Sequence, residues 1–191
     1  MKVLALIGSP RKKGNTQVLV NEVVRGASSV GASCQVINVC DLAIAPCQGC
    51  ESCSTTGVCV QKDDMLDMYP RILASDVLVI GSPVYWWGPS AQIKTFMDRM
   101  FALVQQGGWK KLRGKKAGIV TPYGDTDPDT PEHLIGMFRQ AFDHLGMDII
   151  GTLGVSAGRK GEVAHNKEAM EEAFNLGVRL CFIEEMRKVR K

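Results

Sequence analysis

Short apolar runs recur along the chain and alternate with segments in which apolar residues follow a helical spacing. The runs lie at 3–7, 34–39, 77–80, 117–120 and 149–155. Those at 3–7 and 77–80 lack alternating polar residues, which is typical of strands that helices cover on both faces of a parallel sheet. The pattern therefore predicts an α/β fold built on five strands.

Four helices are predicted around these strands. One carries Leu19, Val23 and Ala27 on a single stripe and ends near Gly26 and Gly31. The second carries a stripe made of Ile93, Met97, Met100 and Val104, and two more span about 131–146 and 163–188. We therefore expect one doubly wound domain, in which ligands bind beyond the carboxyl ends of the strands.

Composition and charge exclude several classes of protein. The chain has 191 residues, of which 45% are hydrophobic and 23% charged, which favours a soluble domain with its own core. The net charge of +3 is too small to favour nucleic acid, and the basic residues at 187–191 are interpreted as a solvated helix end. No apolar run approaches the roughly 20 residues that cross a bilayer. We expect a cytosolic (cytoplasmic) protein with no nucleic-acid or membrane partner.

The segment after the first strand carries the sharpest local signal. Residues 8–16 lead from a buried strand into a helix, whose first-turn N–H groups and dipole favour an anion. Asn15 stands where a P-loop needs lysine, and Pro10 stands where a dinucleotide fingerprint needs glycine. The segment therefore favours a single terminal phosphate, bound by Ser9, Arg11, Asn15 and Thr16. An ordinary turn with Asn15 or Thr16 as helix N-cap is the alternative.

A second candidate segment follows the third strand. Residues 83–88 carry Tyr85, Trp86 and Trp87, three of the chain's six tyrosines and tryptophans. A flat conjugated ring would find stacking faces and backbone N–H groups there. Core or interface packing of the two tryptophans is the alternative. Tyr123 and Gly124, after the fourth strand, would close the other side of the ring.

These segments resemble the flavodoxin-like NAD(P)H-dependent FMN reductase superfamily. Gly8-Ser9-Pro10-Arg11 with Gly14-Asn15-Thr16 is similar to its phosphate loop, and residues 80–86 with 94–99 are similar to its third-strand loop and following helix. Residues 121–125 occupy the place of its third flavin loop. The resemblance implies strand order 2-1-3-4-5 and one flavodoxin-like FMN-binding domain over residues 1–191. The FMN-binding residues it implies are Ser9, Arg11, Gly14, Asn15, Thr16, Pro83, Val84, Tyr85, Trp86, Trp87, Gly88, Thr121, Tyr123, Gly124 and Asp125.

Four of the seven cysteines fall in one loop at about 46–62. Zinc sites usually have their ligands in two separated pairs. Here Cys47, Cys50 and Cys53 follow one another at intervals of three positions and Cys59 comes six positions later, a spacing typical of iron–sulfur sites. It resembles the motif of the iron–sulfur flavoproteins, a branch of the same superfamily, which implies a [4Fe-4S] cluster on these four residues. Reduced structural thiols and zinc are the alternatives. The other cysteines, Cys34, Cys40 and Cys181, are predicted to be small buried hydrophobes.

The resemblance implies an FMN-dependent oxidoreductase that moves electrons from NAD(P)H to a quinone, a flavin or another small acceptor. No side chain needs to act as an acid or base, so we predict no catalytic residue. With a cluster present, single electrons would pass between a ferredoxin-like donor, the cluster and FMN, within a homodimer or homotetramer. A non-enzymatic electron carrier of the same fold is a third hypothesis.

Overall fold

Five parallel strands form one sheet at the centre of the molecule. A computed structural model of the chain describes residues 1–182, apart from the side chains at 106, 107 and 109. The strands are β1 (Lys2–Ile7), β2 (Ser33–Asn38), β3 (Val77–Gly81), β4 (Lys116–Tyr123) and β5 (Asp148–Ser156). Their order in the sheet is β2-β1-β3-β4-β5. The flavodoxin-like order implied by the resemblance is confirmed.

Seven α-helices and three short 3-10 segments surround the sheet in the described part of the chain. The helices are α1 (Asn15–Ser29), α2 (Ser52–Thr56), α3 (Met65–Ala74), α4 (Ala91–Arg99), α5 (Phe101–Val104), α6 (Glu132–His144) and α7 (Lys167–Cys181). The 3-10 segments are Val39–Asp41, Gln105–Lys111 and Glu162–His165. Between residues 1 and 182, no helix is both long and apolar enough to span a membrane.

The sheet separates two hydrophobic cores. In β1, Val3, Ala5 and Ile7 face the helices α1 and α7, whereas Leu4 and Leu6 face α3, α4 and α6. All five residues are at most 2% exposed. This strand is therefore buried on both faces, as its unbroken apolar run predicts. The carboxyl ends of β1, β3 and β4 lie side by side at one edge, where the loops that follow them meet.

Two helices were not predicted, the one-turn α2 within the cysteine loop and the longer α3. Helix α3 (Met65–Ala74) contains Pro70, which lacks the N–H that a helix interior uses and so masks the helical pattern. Its buried face carries Met65, Met68 and Ile72, at helical spacing. The connection from β2 to β3 therefore consists of the 3-10 segment Val39–Asp41, the cysteine loop with α2, and then α3.

Gly26 lies inside α1 and does not end it, which corrects the sequence interpretation. A Cβ atom at Gly26 would lie 2.0 Å from the Phe174 carbonyl oxygen of α7, and one at Gly177 would lie 1.9 Å from the Val23 carbonyl oxygen of α1. These two glycines allow the helices to pack backbone to backbone. The helix ends near Gly31, whose φ of +85° is in the left-handed region.

The three cysteines outside the cysteine loop differ in burial. Cys181 is 7% exposed and buried as predicted, whereas Cys34 and Cys40 are only half-buried. Cys34 belongs to β2, which is an edge strand of the sheet and is partly exposed along its length. The continuation of the last predicted helix to 188 and the basic residues at 187–191 lie outside the described residues.

Candidate functional site

Two adjoining cavities open at the edge of the sheet where β1, β3 and β4 end. Their volumes are about 200 Å³ and 550 Å³. Val84, Tyr85, Tyr123 and Gly124 line both, so the cavities share a wall. The loop after β1 lines only the smaller cavity, and the tryptophan pair lines only the larger one. One continuous depression therefore connects the predicted phosphate segment to the predicted ring segment.

Most of the residues proposed for FMN line this depression. The smaller cavity is lined by Ser9, Arg11, Asn15, Thr16, Pro83, Val84, Tyr85, Tyr123 and Gly124, and the larger adds Trp86, Trp87 and Asp125. Three proposed residues line neither cavity. Gly14 caps α1, Gly88 pairs with Tyr85, and Thr121 is fully buried in β4, where its hydroxyl has no hydrogen-bond partner among the described residues.

The loops after β1 and β3 are fastened to each other. The Gly8 N–H donates to the Gly81 carbonyl at 2.8 Å, and the buried Ser90 hydroxyl, which also caps α4, donates to the Gly8 carbonyl at 2.5 Å. A Cβ atom at Gly8 would lie 1.9 Å from Ile93 Cγ1, so only glycine fits there. The two segments proposed for one ligand are thus held as one unit.

The N-terminus of α1 is open toward the smaller cavity. Its N-cap residue is Gly14, which offers no capping side chain, so neither Asn15 nor Thr16 is the N-cap. Because the first-turn N–H groups of a helix have no partner within the helix, they are available to an anion. Arg11, on the same cavity wall, adds a positive charge. This arrangement has the chemistry of a phosphate site.

The Asn15 side chain is used by the protein itself. Its Nδ2 donates to the carbonyls of Ala157 and Arg159, both at 2.8 Å, and its Oδ1 accepts from the Val163 N–H at 3.2 Å. The residue is 8% exposed. Asn15 therefore fastens the loop after β5 to the start of α1, and the group it could offer to a phosphate is its backbone N–H.

Sequence reasoning missed the loop after β5. Ala157 and Gly158 line the smaller cavity, together with Pro122, and Thr130 lines the larger one. A Cβ atom at Gly158 would lie 3.3 Å from the Gly124 carbonyl, so this loop passes close to the loop after β4. The Ala157-Gly158 pair directly after a strand was the available signal, since small residues there permit close backbone approach.

The aromatic segment is a tight turn with an unusual backbone. Tyr85 and Gly88 exchange two backbone hydrogen bonds, of 2.8 and 3.0 Å. Between them Trp86 and Trp87 have φ angles of 50° and 58°, the left-handed pair expected of a type I′ turn, which Asn and Gly favour. Trp86 is 91% exposed and Trp87 53% exposed. They are therefore not core residues of this chain, and their rings stand at the mouth of the larger cavity.

The end of β4 presents a neutral phenol, that of Tyr123, beside the carboxylate of Asp125. Burial raises the pKa of Tyr123, and the charges of Asp125 and Asp127 raise it further, so its hydroxyl keeps its proton at neutral pH. Asp125 accepts hydrogen bonds from the Thr130 hydroxyl at 2.7 Å and from the Asp127 N–H at 3.2 Å. The wall shared by the two cavities thus includes a hydroxyl that can donate.

The cysteine loop exposes two of its thiols and half-buries two. Cys47 and Cys50 are exposed, and Cys53 and Cys59 are intermediate. Burial raises the pKa of Cys53, and the nearby thiols of Cys59, Cys47 and Cys50 raise it further. A hydrogen bond from the Ser52 backbone lowers the pKa of Cys50. Within residues 1–182, no three His, Cys, Asp or Glu side chains lie close enough together to hold a metal ion. The structure gathers the four thiols in one region without placing them at metal-ligand spacing.

Comparisons with known proteins agree with this fold. Residues 1–162 match the family profile described as NADPH-dependent FMN reductase. Iron-sulfur flavoproteins of Archaeoglobus fulgidus and Methanocaldococcus jannaschii are 30% and 32% identical to the chain; each comparison covers 95% of this chain, and 79% and 96% of the respective relative.

Among solved structures, an NAD(P)H:quinone oxidoreductase from Methanothermobacter marburgensis superposes with a TM-score of 0.73. It is 18% identical, and the match covers 97% of this chain and 98% of that protein. At this identity the likeness establishes the fold alone. The profile spans both the phosphate segment and the aromatic turn, and on that basis the chain belongs to the NADPH-dependent FMN reductase family.

Proposed function

We propose that the chain is an FMN-dependent oxidoreductase that takes electrons from NAD(P)H and delivers them to a quinone, a flavin or another small acceptor. The observation that carries this proposal is the continuous depression that leads from the open N-terminus of α1 to the aromatic turn. A phosphate fits one end and a flat ring fits the other. The combined volume of the two cavities lies in the range of about 300–1,000 Å³ that is usual for cofactor sites.

The phosphate end has the donors that a phosphomonoester needs. First-turn amides of α1 point their partial positive charge toward the cavity, and Arg11 can form a forked, charge-assisted contact with a dianion. Ser9 is 3% exposed, and its Oγ accepts from the Arg11 N–H at 3.3 Å. This contact holds the loop in the shape that brings Arg11 to the cavity wall.

The ring end offers position and hydrogen bonding. FMN, when bound, supplies the electron transfer itself. Tyr85, in the loop after β3, and Tyr123, at the end of β4, line the cavity, and the protonated Tyr123 hydroxyl can donate to a ring heteroatom. Trp86 and Trp87 stand at the mouth of the larger cavity, where an aromatic face can stack on the ring. The protein's part is thus to bind and orient FMN, which needs no catalytic side chain.

The phosphate assignment can be tested by comparing FMN with riboflavin, which lacks the phosphate. We expect Arg11→Ala to weaken FMN binding by roughly 10–100-fold, since a hydrogen bond to a charged group contributes about 1.5–3 kcal/mol. Riboflavin binding should stay within two-fold of the wild-type value. Lys167→Ala, which removes the same charge from an exposed position on α7, is the matched control. An equal loss for both ligands, or no loss for FMN, would refute the assignment.

A second candidate function adds a [4Fe-4S] cluster held by Cys47, Cys50, Cys53 and Cys59. The observations that favour it are the four thiols in one loop and the names of the archaeal relatives. Thiolates are the ligands that iron–sulfur clusters require. Such a protein would exchange single electrons with a ferredoxin-like donor, in a cytosolic homodimer or homotetramer. Anaerobic purification with iron and sulfide analysis tests it: about four irons per chain are expected, and no iron after reconstitution would contradict it.

A further inference from the structure

We propose that Arg99 is the positioning residue of the cysteine loop: paired with Asp63, its buried guanidinium holds the two ends of residues 46–62 together and so determines how closely the four thiols approach one another. The loop-closing part of this inference stands on the contacts alone. The part that concerns iron rests on the second candidate function above.

Arg99 reaches both ends of the loop from the last position of α4. Its Nη1 donates to the Ala45 carbonyl at 2.8 Å and to Asp63 Oδ2 at 2.6 Å, and its Nη2 donates to Asp63 Oδ1 at 3.0 Å. The Arg99 side chain is 1% exposed and that of Asp63 14%. A rigid planar fork can make all three contacts at once, which a single ammonium group cannot.

Asp63 completes the closure from its own side. Its Oδ2 also accepts from the Ala45 N–H at 3.0 Å, and its Oδ1 accepts from the Met65 N–H at 3.1 Å. Both backbone polar groups of Ala45 are therefore bound by the ion pair. Ala45 lies two residues before Cys47, and Asp63 lies four residues after Cys59, so the pair closes the loop at its base.

Other contacts across the base of the loop are exposed. Asp64 and Ala43 exchange two hydrogen bonds: the Asp64 side chain accepts from the Ala43 N–H at 2.7 Å, and the Asp64 N–H donates to the Ala43 carbonyl at 3.2 Å. The Gln61 side chain donates to the Pro46 carbonyl at 3.1 Å. Water competes for such exposed hydrogen bonds, so each contributes only modestly to holding the loop. The Arg99–Asp63 pair is shielded from water and joins the loop to a helix of the core. It is therefore the contact on which loop closure depends most.

Packing beneath the loop is incomplete. A cavity of about 440 Å³ lies between the loop and helices α4 to α6, lined by Cys47 and Gly49 on the loop side and by residues such as Met97 and Phe101 on the helix side. Helix α2, within the loop, contacts the 3-10 segment Gln105–Lys111, so close packing supports that part of the loop and not the part above the cavity. Above the cavity, polar contacts at the ends of the loop, where Arg99 acts, contribute more to its shape.

The end of α4 is also joined to α3. The Tyr69 hydroxyl, in α3, donates to the Arg99 carbonyl at 3.1 Å. Arg99 thus holds the base of the loop through its side chain and joins α4 to α3 through its backbone carbonyl.

The decisive variant removes both charges. Replacing a buried ion pair with apolar residues is often neutral for stability, so Arg99→Met with Asp63→Leu should keep the fold while it opens the base of the loop. The matched control is Lys94→Met with Asp98→Leu, which removes an exposed pair at 2.6 Å on the same helix. Arg99→Lys keeps the positive charge but cannot reproduce the planar guanidinium contacts with Asp63 and Ala45. It therefore tests whether the charge alone partly restores loop closure.

The readouts are measured on the FMN-loaded full chain. They are the rate of proteolytic cleavage within residues 46–62, the alkylation rates of the four thiols, and the iron content after anaerobic reconstitution. For the double variant we expect FMN affinity within two-fold of wild type, loop cleavage and Cys53 alkylation at least ten-fold faster, and less than half the wild-type iron. Arg99→Lys should give intermediate values, and the control should match wild type.

Several outcomes would overturn the inference. Wild-type cleavage and alkylation rates in the double variant would do so, and so would equal changes in the Lys94/Asp98 control. If the double variant fails to fold, the cleavage and alkylation rates of Arg99→Lys decide the question, and wild-type rates in that variant would overturn the inference. If wild-type protein takes up no iron, the second candidate function fails, but the cleavage rates of the iron-free protein still decide the role of Arg99.

Discussion

Arg99 and Asp63 form a doubly hydrogen-bonded ion pair beneath the cysteine loop, with N–O distances of 2.6 and 3.0 Å. The pair joins an element of the core to a segment that is otherwise open to solvent. Its partners are Ala45 on one side of the loop and Met65, the first residue of α3, on the other. A single ion pair thereby links α4, the start of α3 and both ends of the loop.

The first prediction concerns the stability of this pair. Arg99→Met alone should lower the free energy of unfolding by about 3–5 kcal/mol, because it leaves the Asp63 carboxylate and the Ala45 carbonyl without their partner. Adding Asp63→Leu should recover most of that loss. Urea unfolding of the two variants and wild type measures both quantities. A double variant no more stable than Arg99→Met would contradict the prediction.

The second prediction is a dependence on acid. Burial raises the pKa of Asp63, but the hydrogen bonds from Arg99, Ala45 and Met65 outweigh this and hold the pKa below its ordinary value. A carboxyl with a lowered folded pKa stabilises the protein above its unfolded pKa of about 3.9, and this contribution is lost as the pH falls through the folded value.

Unfolding measurements between pH 7 and pH 2 on wild type and on the Arg99→Met/Asp63→Leu variant isolate this effect. Wild type should lose stability relative to the variant only below about pH 4. A stability difference that stays constant across the whole range would show that Asp63 does not titrate as stated.

The third prediction concerns the link between the start of α1 and the loop after β5. Asn15→Ala removes three hydrogen bonds and should cost about 1–3 kcal/mol, because the buried contacts to Ala157 and Val163 and the partly buried contact to Arg159 are lost. Asn15→Asp should cost more, since a carboxylate would face the Ala157 and Arg159 carbonyls. Thermal unfolding ranks the two variants. Equal destabilisation would indicate that the donor contacts are unimportant.

The fourth prediction uses the type I′ turn. Replacing Trp86-Trp87 with Asn-Gly keeps the backbone shape and removes the strain of two bulky left-handed residues, so stability should rise by about 1–3 kcal/mol. Loss of the aromatic faces should weaken FMN and riboflavin by the same factor, about two- to ten-fold, since stacking concerns the ring and not the phosphate. A loss confined to FMN would place the tryptophans at the phosphate end.

The parts of the fold that the sequence predicted are those with strong local signals. The unbroken apolar run of β1 and the strand–loop–helix segment at 8–16 predicted the sheet and the open helix N-terminus. Helix α3 was missed because Pro70 breaks its pattern, and Gly26 was interpreted as a helix end because its role, the close approach to Phe174, depends on a partner far along the chain.

The candidate site shows the same division between local and distant contacts. The aromatic turn could be located from sequence, because three aromatic residues lie together after a strand. The hydrogen bonds between the Asn15 side chain and the loop after β5 could not be predicted, because the partners of Asn15 lie 142 to 148 positions away along the chain. The Arg99–Asp63 pair joins residues 36 positions apart and is likewise invisible to local spacing.

We propose that the depression at the sheet edge holds an FMN that NAD(P)H reduces and a small acceptor reoxidises. Anaerobic addition of NADPH, and separately of NADH, to the FMN-loaded protein, followed by a quinone, tests this reaction through the flavin absorbance. We expect the flavin bands to bleach with at least one nucleotide and to return when the quinone is added. Bound FMN that neither nucleotide bleaches would indicate an electron carrier and contradict the proposed reductase, and failure to bind FMN would contradict the site itself.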